Sequence, residues 1–145
     1  MAILTNRAAD TRDRGIDTAL LILRVVLGIL VLLHGISKLP PPPKEIAAML
    51  AQANLPAVLA WGVYLGEIVA PILLIIGVWT RLAAVLIAIN MVVAVLTAHT
   101  GQLLSLGNEG GYALELQAMY LFVAVALAFT GAGRLSVGGR YGPMN

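Results

Sequence analysis

Ala19-Leu-Leu-Ile-Leu-Arg24-Val-Val-Leu-Gly28-Ile-Leu-Val-Leu-Leu-His34-Gly35-Ile-Ser-Lys38-Leu39 is the stretch that decides the fold. From Thr18 to Ser37 it offers about 20 residues at ~1.5 Å rise each, enough to cross the ~30 Å hydrocarbon layer of a bilayer. It reads as a transmembrane helix. An arginine at the centre of such a helix costs about 2.5–3.5 kcal/mol on translocon scales, so Arg24 is expected to turn into the protein and meet an acidic or backbone partner there.

The rest of the composition agrees with that solvent. Of 145 residues, 60% are hydrophobic and 11% charged, with a mean hydropathy of +0.94. Soluble domains carry about 25% charged residues, so this chain has too little polar surface to coat a water-facing core. One compact membrane domain is expected, with no separate soluble domain. Nine Lys and Arg against seven acids give a net charge of +2, and no basic stripe offers a nucleic-acid footprint. The chain has no cysteine, which excludes thiol–disulfide exchange and thiolate-held iron–sulfur clusters within it. Redox chemistry would have to rest on a bound cofactor or another subunit. Residues 1–17 imitate a signal peptide, but the apolar run exceeds the ~7–15 residues of an h-region, and Lys38-Leu39 and prolines follow where a small-residue cleavage site would stand.

Along the chain, residues 1–17 mix Arg7, Arg12 and Arg14 with Asp10, Asp13 and Asp17 and read as a partly disordered cytoplasmic segment. Pro40–Pro43 stop the first span, and Lys44–Ala53 read as a short interfacial helix. A second span, 57–78, carries Trp61, Tyr64 and Trp79 as interfacial aromatics, Glu67 near its middle and Pro71 as a kink. Gly62 and Gly66 lie at the spacing that lets helices approach, within the molecule or in a homodimer. Thr80-Arg81 read as a tight turn before a third span, 82–98, which contains Asn90 and ends at His99. A polar, glycine-rich loop leads to a fourth, 112–130, with Glu115 and Gln117 in its first turns. Within that loop, Gly107–Gly111 has neither the lysine nor the preceding strand of a phosphate cradle. Gly131–Arg140 read as a short, exposed stretch, and residues 138–145 close the chain as a cytoplasmic tail. The fold expected is all-α, an integral membrane four-helix bundle over 18–137. Arg7, Arg12, Arg14, Arg81, Arg134 and Arg140 share one side against Lys38 and Lys44 on the other, which puts both termini in the cytoplasm.

Two polar groups follow from these levels. Arg24 lies roughly 9 Å and Glu67 roughly 16 Å from the cytoplasmic ends of their spans, a difference an arginine side chain can bridge. The pair would either fix helix register or form a site wall. Arg24, Gly28, Val31, Gly35 and Lys38 share one helical face, which should pack inward. At the outer side His34, Lys38, His99, Glu115 and Gln117 could line a polar pocket, with Lys38 paired to Glu115. Asn90 reads as an interhelical hydrogen bond. No Ser-His-Asp set, carboxylate dyad or metal-spaced cluster is present, so no catalytic or metal-binding residue is assigned.

Arg24-x-x-x-Gly28, Gly35-x-x-Lys38-Leu39, Gly66-Glu67-x-x-x-Pro71, Leu74-Ile75-Ile76-Gly77-x-x-Thr80-Arg81, Gly110-Gly111-Tyr112-x-x-Glu115 and Thr130-Gly131-Ala132-Gly133-x-x-Ser136 occur in this order. The series resembles the DoxX family of small bacterial inner-membrane proteins. The tail differs, lacking the aspartate with which the family commonly closes. The resemblance implies a four-helix membrane bundle acting as a quinone-reducing subunit or as the membrane partner of a soluble detoxifying redox enzyme. Beside that quinone-binding reading stand a non-catalytic scaffold and a small homo-oligomeric transporter or channel.

Overall fold

A computed structural model of the chain describes residues 2–39, 44–52, 54, 56–107 and 110–145, with side chains from residue 12 onward except at residue 45. The proline run 40–43, the loop residues 108–109 and the side chains of Arg7 and Asp10 lie outside the described residues. All the described elements are helical apart from one isolated bridge, Leu106 with Tyr112. We number five helices: α1, Ala2–Ser37; α2, Lys44–Gln52; α3, Ala57–Ile76; α4, Thr80–Ala98; and α5, Glu115–Thr130.

α1 is one helix of 36 residues, so the segment expected to be partly disordered continues the first span. Residues 2–17 hold a single glycine and no proline, and nothing in them interrupts the backbone ladder. α3 is the irregular element. It opens as a 3-10 turn after Pro56, passes through a π-helical turn at Leu65–Val69 and ends as a regular α-helix at Gly77, whose φ of 77° is the left-handed conformation that terminates helices. The turn to α4 is therefore Gly77–Trp79, ahead of the expected Thr80-Arg81, and α4 begins at Thr80.

α1 packs on α3 and α5, and α4 packs on the same two helices. Glycines set the spacing. Gly28 lies against the Pro71 carbonyl and Ile75, and Gly35 against the backbone of Glu67, so α1 runs antiparallel to α3 at backbone distance, while Gly66 of α3 receives the Asn90 side chain of α4. Gly62 meets nothing within 4 Å. The core between the helices is Leu27, Val31, Ala70, Leu74, Ala83, Ala84, Ile87, Met91, Tyr120, Ala124 and Leu127. Arg24 and Val31, at 1% exposure each, lie with Gly28 and Gly35 on the buried face of α1. Leucines, isoleucines, valines and phenylalanines cover the outside, the inverse of a water-soluble protein. Three helices, Arg12–Ser37, Ala57–Ile76 and Thr80–Ala98, are long and apolar enough to cross a membrane, and α5 is a shorter apolar helix of 16 residues. The chain is a membrane protein whose helix faces meet lipid.

The tail is not exposed throughout, as the sequence suggested; it caps helix ends. Val137 and Gly138 donate to the carbonyls of Ile76 and Gly77 at 3.2 and 3.0 Å, satisfying the C-terminus of α3. Asn145 Oδ1 accepts from the Thr80 N–H at 3.0 Å, and the Met144 carbonyl from Arg81 N–H at 2.8 Å, satisfying the N-terminus of α4. Asp17 on α1 accepts the Arg134 N–H at 2.9 Å.

The glycine contacts yield a test. A methyl group at residue 35 would overlap the Glu67 carbonyl, whereas one at residue 62 would enter open space. Gly35→Ala is expected to cost about 1–3 kcal/mol through overpacking and to lower the unfolding temperature in detergent. Gly62→Ala should stay within about 0.5 kcal/mol of the native protein.

Candidate functional site

Glu67 is 3% exposed, and local backbone chemistry puts it there. Pro71 has no N–H to offer the carbonyl four residues back, which is that of Glu67. The preceding turn widens to π geometry, with the Ala70 N–H reaching the Leu65 carbonyl, and π turns of this kind are frequent at functional sites. Gly35 then admits the Glu67 backbone and Gly66 admits Asn90.

The carboxylate meets Lys38, not Arg24. Lys38 Nζ donates to Oε1 and Oε2 at 2.5 and 2.6 Å, and Asn90 Nδ2 donates to Oε1 at 3.0 Å. Lys38 stands just past the end of α1 with its side chain 36% exposed, against 4% for Glu67, and Tyr64 Oη donates to its carbonyl at 3.3 Å. Arg24 belongs to the opposite end of the helices. It lies level with Gly77, where a Cβ would strike the guanidinium, and its Nη2 donates to the Leu135 carbonyl at 2.6 Å. Its Nε and Nη1 have no hydrogen-bond partner among the described residues. The guanidinium sits beside the C-terminus of α3, where the helix dipole favours a cation. Glu67 lies level with Gly35, eleven residues further along α1, or roughly 16 Å away. The expected Arg24–Glu67 pair fails because Arg24 sits at the edge of the helix pack, within reach of a terminal carbonyl.

A cavity of about 120 Å³ opens beside Glu67. His34, Lys38, Glu67, His99 and Gln117 supply its polar lining, and Val31, Met91 and Tyr120 its apolar wall. His34 is exposed at its rim. Its Nδ1 lies 2.9 Å from the Leu30 carbonyl, which can only accept, so a neutral His34 carries its proton on Nδ1 and has Nε2 as an acceptor. Its ring stands edge-on to Tyr120 at 6.0 Å. His99 Nδ1 lies 3.2 Å from Gln102 Oε1. Glu115 is not part of the lining: it is exposed in the first turn of α5 with its carboxylate over Gly111, and the proposed Lys38–Glu115 pair does not form. Asn90 contributes by holding Glu67.

Tyr120 was not anticipated, although it follows Gln117 by three residues and so shares its helical face. Asn145 and the Asp17–Arg134 contact carried no signal in the sequence. Among the described residues no group of three or more His, Cys, Asp or Glu could hold a metal ion. Chemically the cavity combines an ammonium with two of its three N–H groups on Glu67, a neutral amide and an imidazole acceptor around an apolar floor. That set suits a small uncharged ring bearing carbonyl or hydroxyl groups.

Comparison with known proteins bears on that chemistry. A family model, DoxX, matches residues 19–100. An uncharacterized protein of Haemophilus influenzae is 31% identical over 122 residues, covering 82% of this chain and 87% of the relative. A Bacillus subtilis protein named "Putative oxidoreductase CatD" is 26% identical over 125 residues, covering 86% and 88% of the two chains. No solved structure matches.

The Glu67 cluster can be measured by a double-mutant cycle. Glu67→Leu strands the Lys38 ammonium and the Asn90 amide, and Lys38→Met leaves a buried carboxylate. Each single change should destabilise the protein in detergent, and the pair Lys38→Met with Glu67→Leu should recover about 1–3 kcal/mol of the summed loss. The cycle Arg24→Met with Glu67→Leu should be additive within about 0.5 kcal/mol.

Proposed function

The chain belongs to the DoxX family, and from that premise we propose that it is a four-span membrane subunit holding the ring of a quinone between its helices for an associated oxidoreductase. The observation that carries this reading is the cavity beside Glu67, with Lys38 and Gln117 as donors on an apolar floor. Its volume, about 120 Å³, is on the scale of the ~150 Å³ engineered cavity that takes up benzene. It fits one ring, with any lipid tail outside. The oxidoreductase name of the Bacillus relative supports the reaction class.

In this reading a bound quinone supplies two-electron acceptor chemistry, and the chain's own residues supply its setting. Lys38 donates its remaining N–H to a ring carbonyl while Glu67 and Asn90 fix its position. Gln117 addresses a second oxygen, and His34 Nε2 accepts from a hydroxyl. Val31, Met91 and Tyr120 keep the ring out of bulk water. Electrons come from a docked soluble enzyme or another subunit, since the chain has no cysteine. The excess of arginines at the tail end orients both termini to the cytoplasm of a bacterial inner membrane and offers a docking face around Arg81 and Arg134.

The complete partnering of Glu67 by Lys38 and Asn90 favours a second reading, a scaffold with no ligand. Titration of the purified protein with decylubiquinone separates the two. Saturable binding is expected, weakened at least about tenfold, or about 1.4 kcal/mol, by Lys38→Met and by Gln117→Leu, and unchanged by Glu115→Gln. A scaffold would show no saturable binding in any variant.

A further inference from the structure

We propose that the segment Thr100–Leu106, which leaves α4 at the outer end, is seated in the membrane interface with its leucines in lipid. The first observation is a run of uncovered leucines on a hydrogen-bonded turn. Leu104 and Leu106 are 101% and 74% exposed, and Leu103 is exposed as well, while backbone groups of the segment are bonded within it and to the turn before α5. Gln102 and Ser105 N–H donate to the carbonyls of His99 and Gln102 at 2.9 and 3.1 Å, the Ser105 carbonyl accepts from Ala113 N–H at 3.1 Å, and Tyr112 Oη donates to the Leu103 carbonyl at 2.9 Å. In water this arrangement leaves three leucines uncovered. Apolar side chains outward with a self-satisfied backbone is what a bilayer requires of any segment at its depth.

The second observation is length. α5 has 16 residues and α4 has 19, so they rise roughly 24 and 28 Å. α4 begins and α5 ends at one level, where Gly131 packs against Asn145 and the Arg81 side chain. Against a hydrocarbon layer of ~30 Å, helices of this length bring the segment between them to the edge of the layer, with the exposed Glu115 carboxylate on its polar side. Residues 100–106 carry no charge, and between Arg81 and Arg134 the only charged residues are Glu109 and Glu115, both beyond the segment. Trp61 and Val58, exposed at the outer start of α3, continue the same belt. The seat has a consequence for the cavity, because His99 in its lining contacts Gln102 of this segment: the outer wall of the cavity faces lipid headgroups.

The inference rests on the four-span reading above, and the absence of cysteine allows both to be tested separately. Leu104→Cys, Phe122→Cys and Arg140→Cys are each labelled with a nitroxide and reconstituted into phosphatidylcholine vesicles. Spin relaxation by oxygen, which concentrates in lipid, is compared with that by a water-soluble nickel chelate. Leu104 is free of packing, so its replacement leaves the fold intact. The label at 104 is expected to be severalfold more accessible to oxygen than to the chelate, with the label at 140 showing the reverse. Chelate preference at 104 would overturn the proposal, as would protection from both reagents, which would mean that protein covers the segment. Phe122 lies on the exposed face of α5. Chelate preference at 122 would instead remove the four-span reading itself.

Discussion

A carboxylate in the apolar interior of a membrane protein is the constraint around which the packing is arranged. Glu67 is 3% exposed, and an unpaired buried charge costs several kcal/mol even after relaxation. Its neighbours answer that demand at three levels. Pro71 and the π turn set its place on α3, Gly35 brings α1 to backbone distance and Gly66 admits the Asn90 side chain of α4, and Lys38 and Asn90 then close on the carboxylate. Removing any one level leaves the others without a purpose. The cavity lies beside this cluster, and Val31, Met91 and Tyr120 join its wall to the hydrophobic core.

The other end of the molecule solves a different problem. Helix termini leave N–H and C=O groups unsatisfied, and here the last fifteen residues, Gly131–Asn145, supply the partners. Asn145 alone reaches the start of α4 through Oδ1, and the carbonyls of Gly77 and Gly139 through Nδ2. Arg24 and Arg81 both donate to tail carbonyls, and Asp13 and Asp17 hold Arg134. The two ends thus differ: the tail end fastens the helices through capped backbone groups and the Arg134 ion pairs, and the other keeps the Lys38–Glu67 pair beside open space.

Hydropathy made the apolar helices legible, because every residue facing lipid must be apolar and the runs are long. The inward stripe on α1 was legible for the same reason. What the sequence did not reveal is register between helices. Depth was counted from the ends of apolar runs, which brought Arg24 and Glu67 together, whereas the glycine contacts at Gly28 and Gly35 set them roughly 16 Å apart. Level alone gathered His34, Lys38, His99 and Gln117 at the cavity. Glu115 was grouped with them wrongly, since two residues turn about 200° on a helix and Gln117 and Glu115 face opposite ways. The capping role of the tail depends on how the chain folds back, which no local pattern encodes.

The account stands on which cation meets Glu67. The chain contains two lysines and four glutamates, so labelling lysine Nζ with nitrogen-15 and glutamate Cδ with carbon-13 gives a nearly site-specific solid-state NMR dipolar measurement in lipid. One strong coupling at hydrogen-bonding distance is predicted, present in the native protein and abolished by Glu67→Gln. Absence of that coupling, or its appearance instead between the Glu67 carboxyl carbon and a labelled arginine guanidinium, would contradict the structure at its centre.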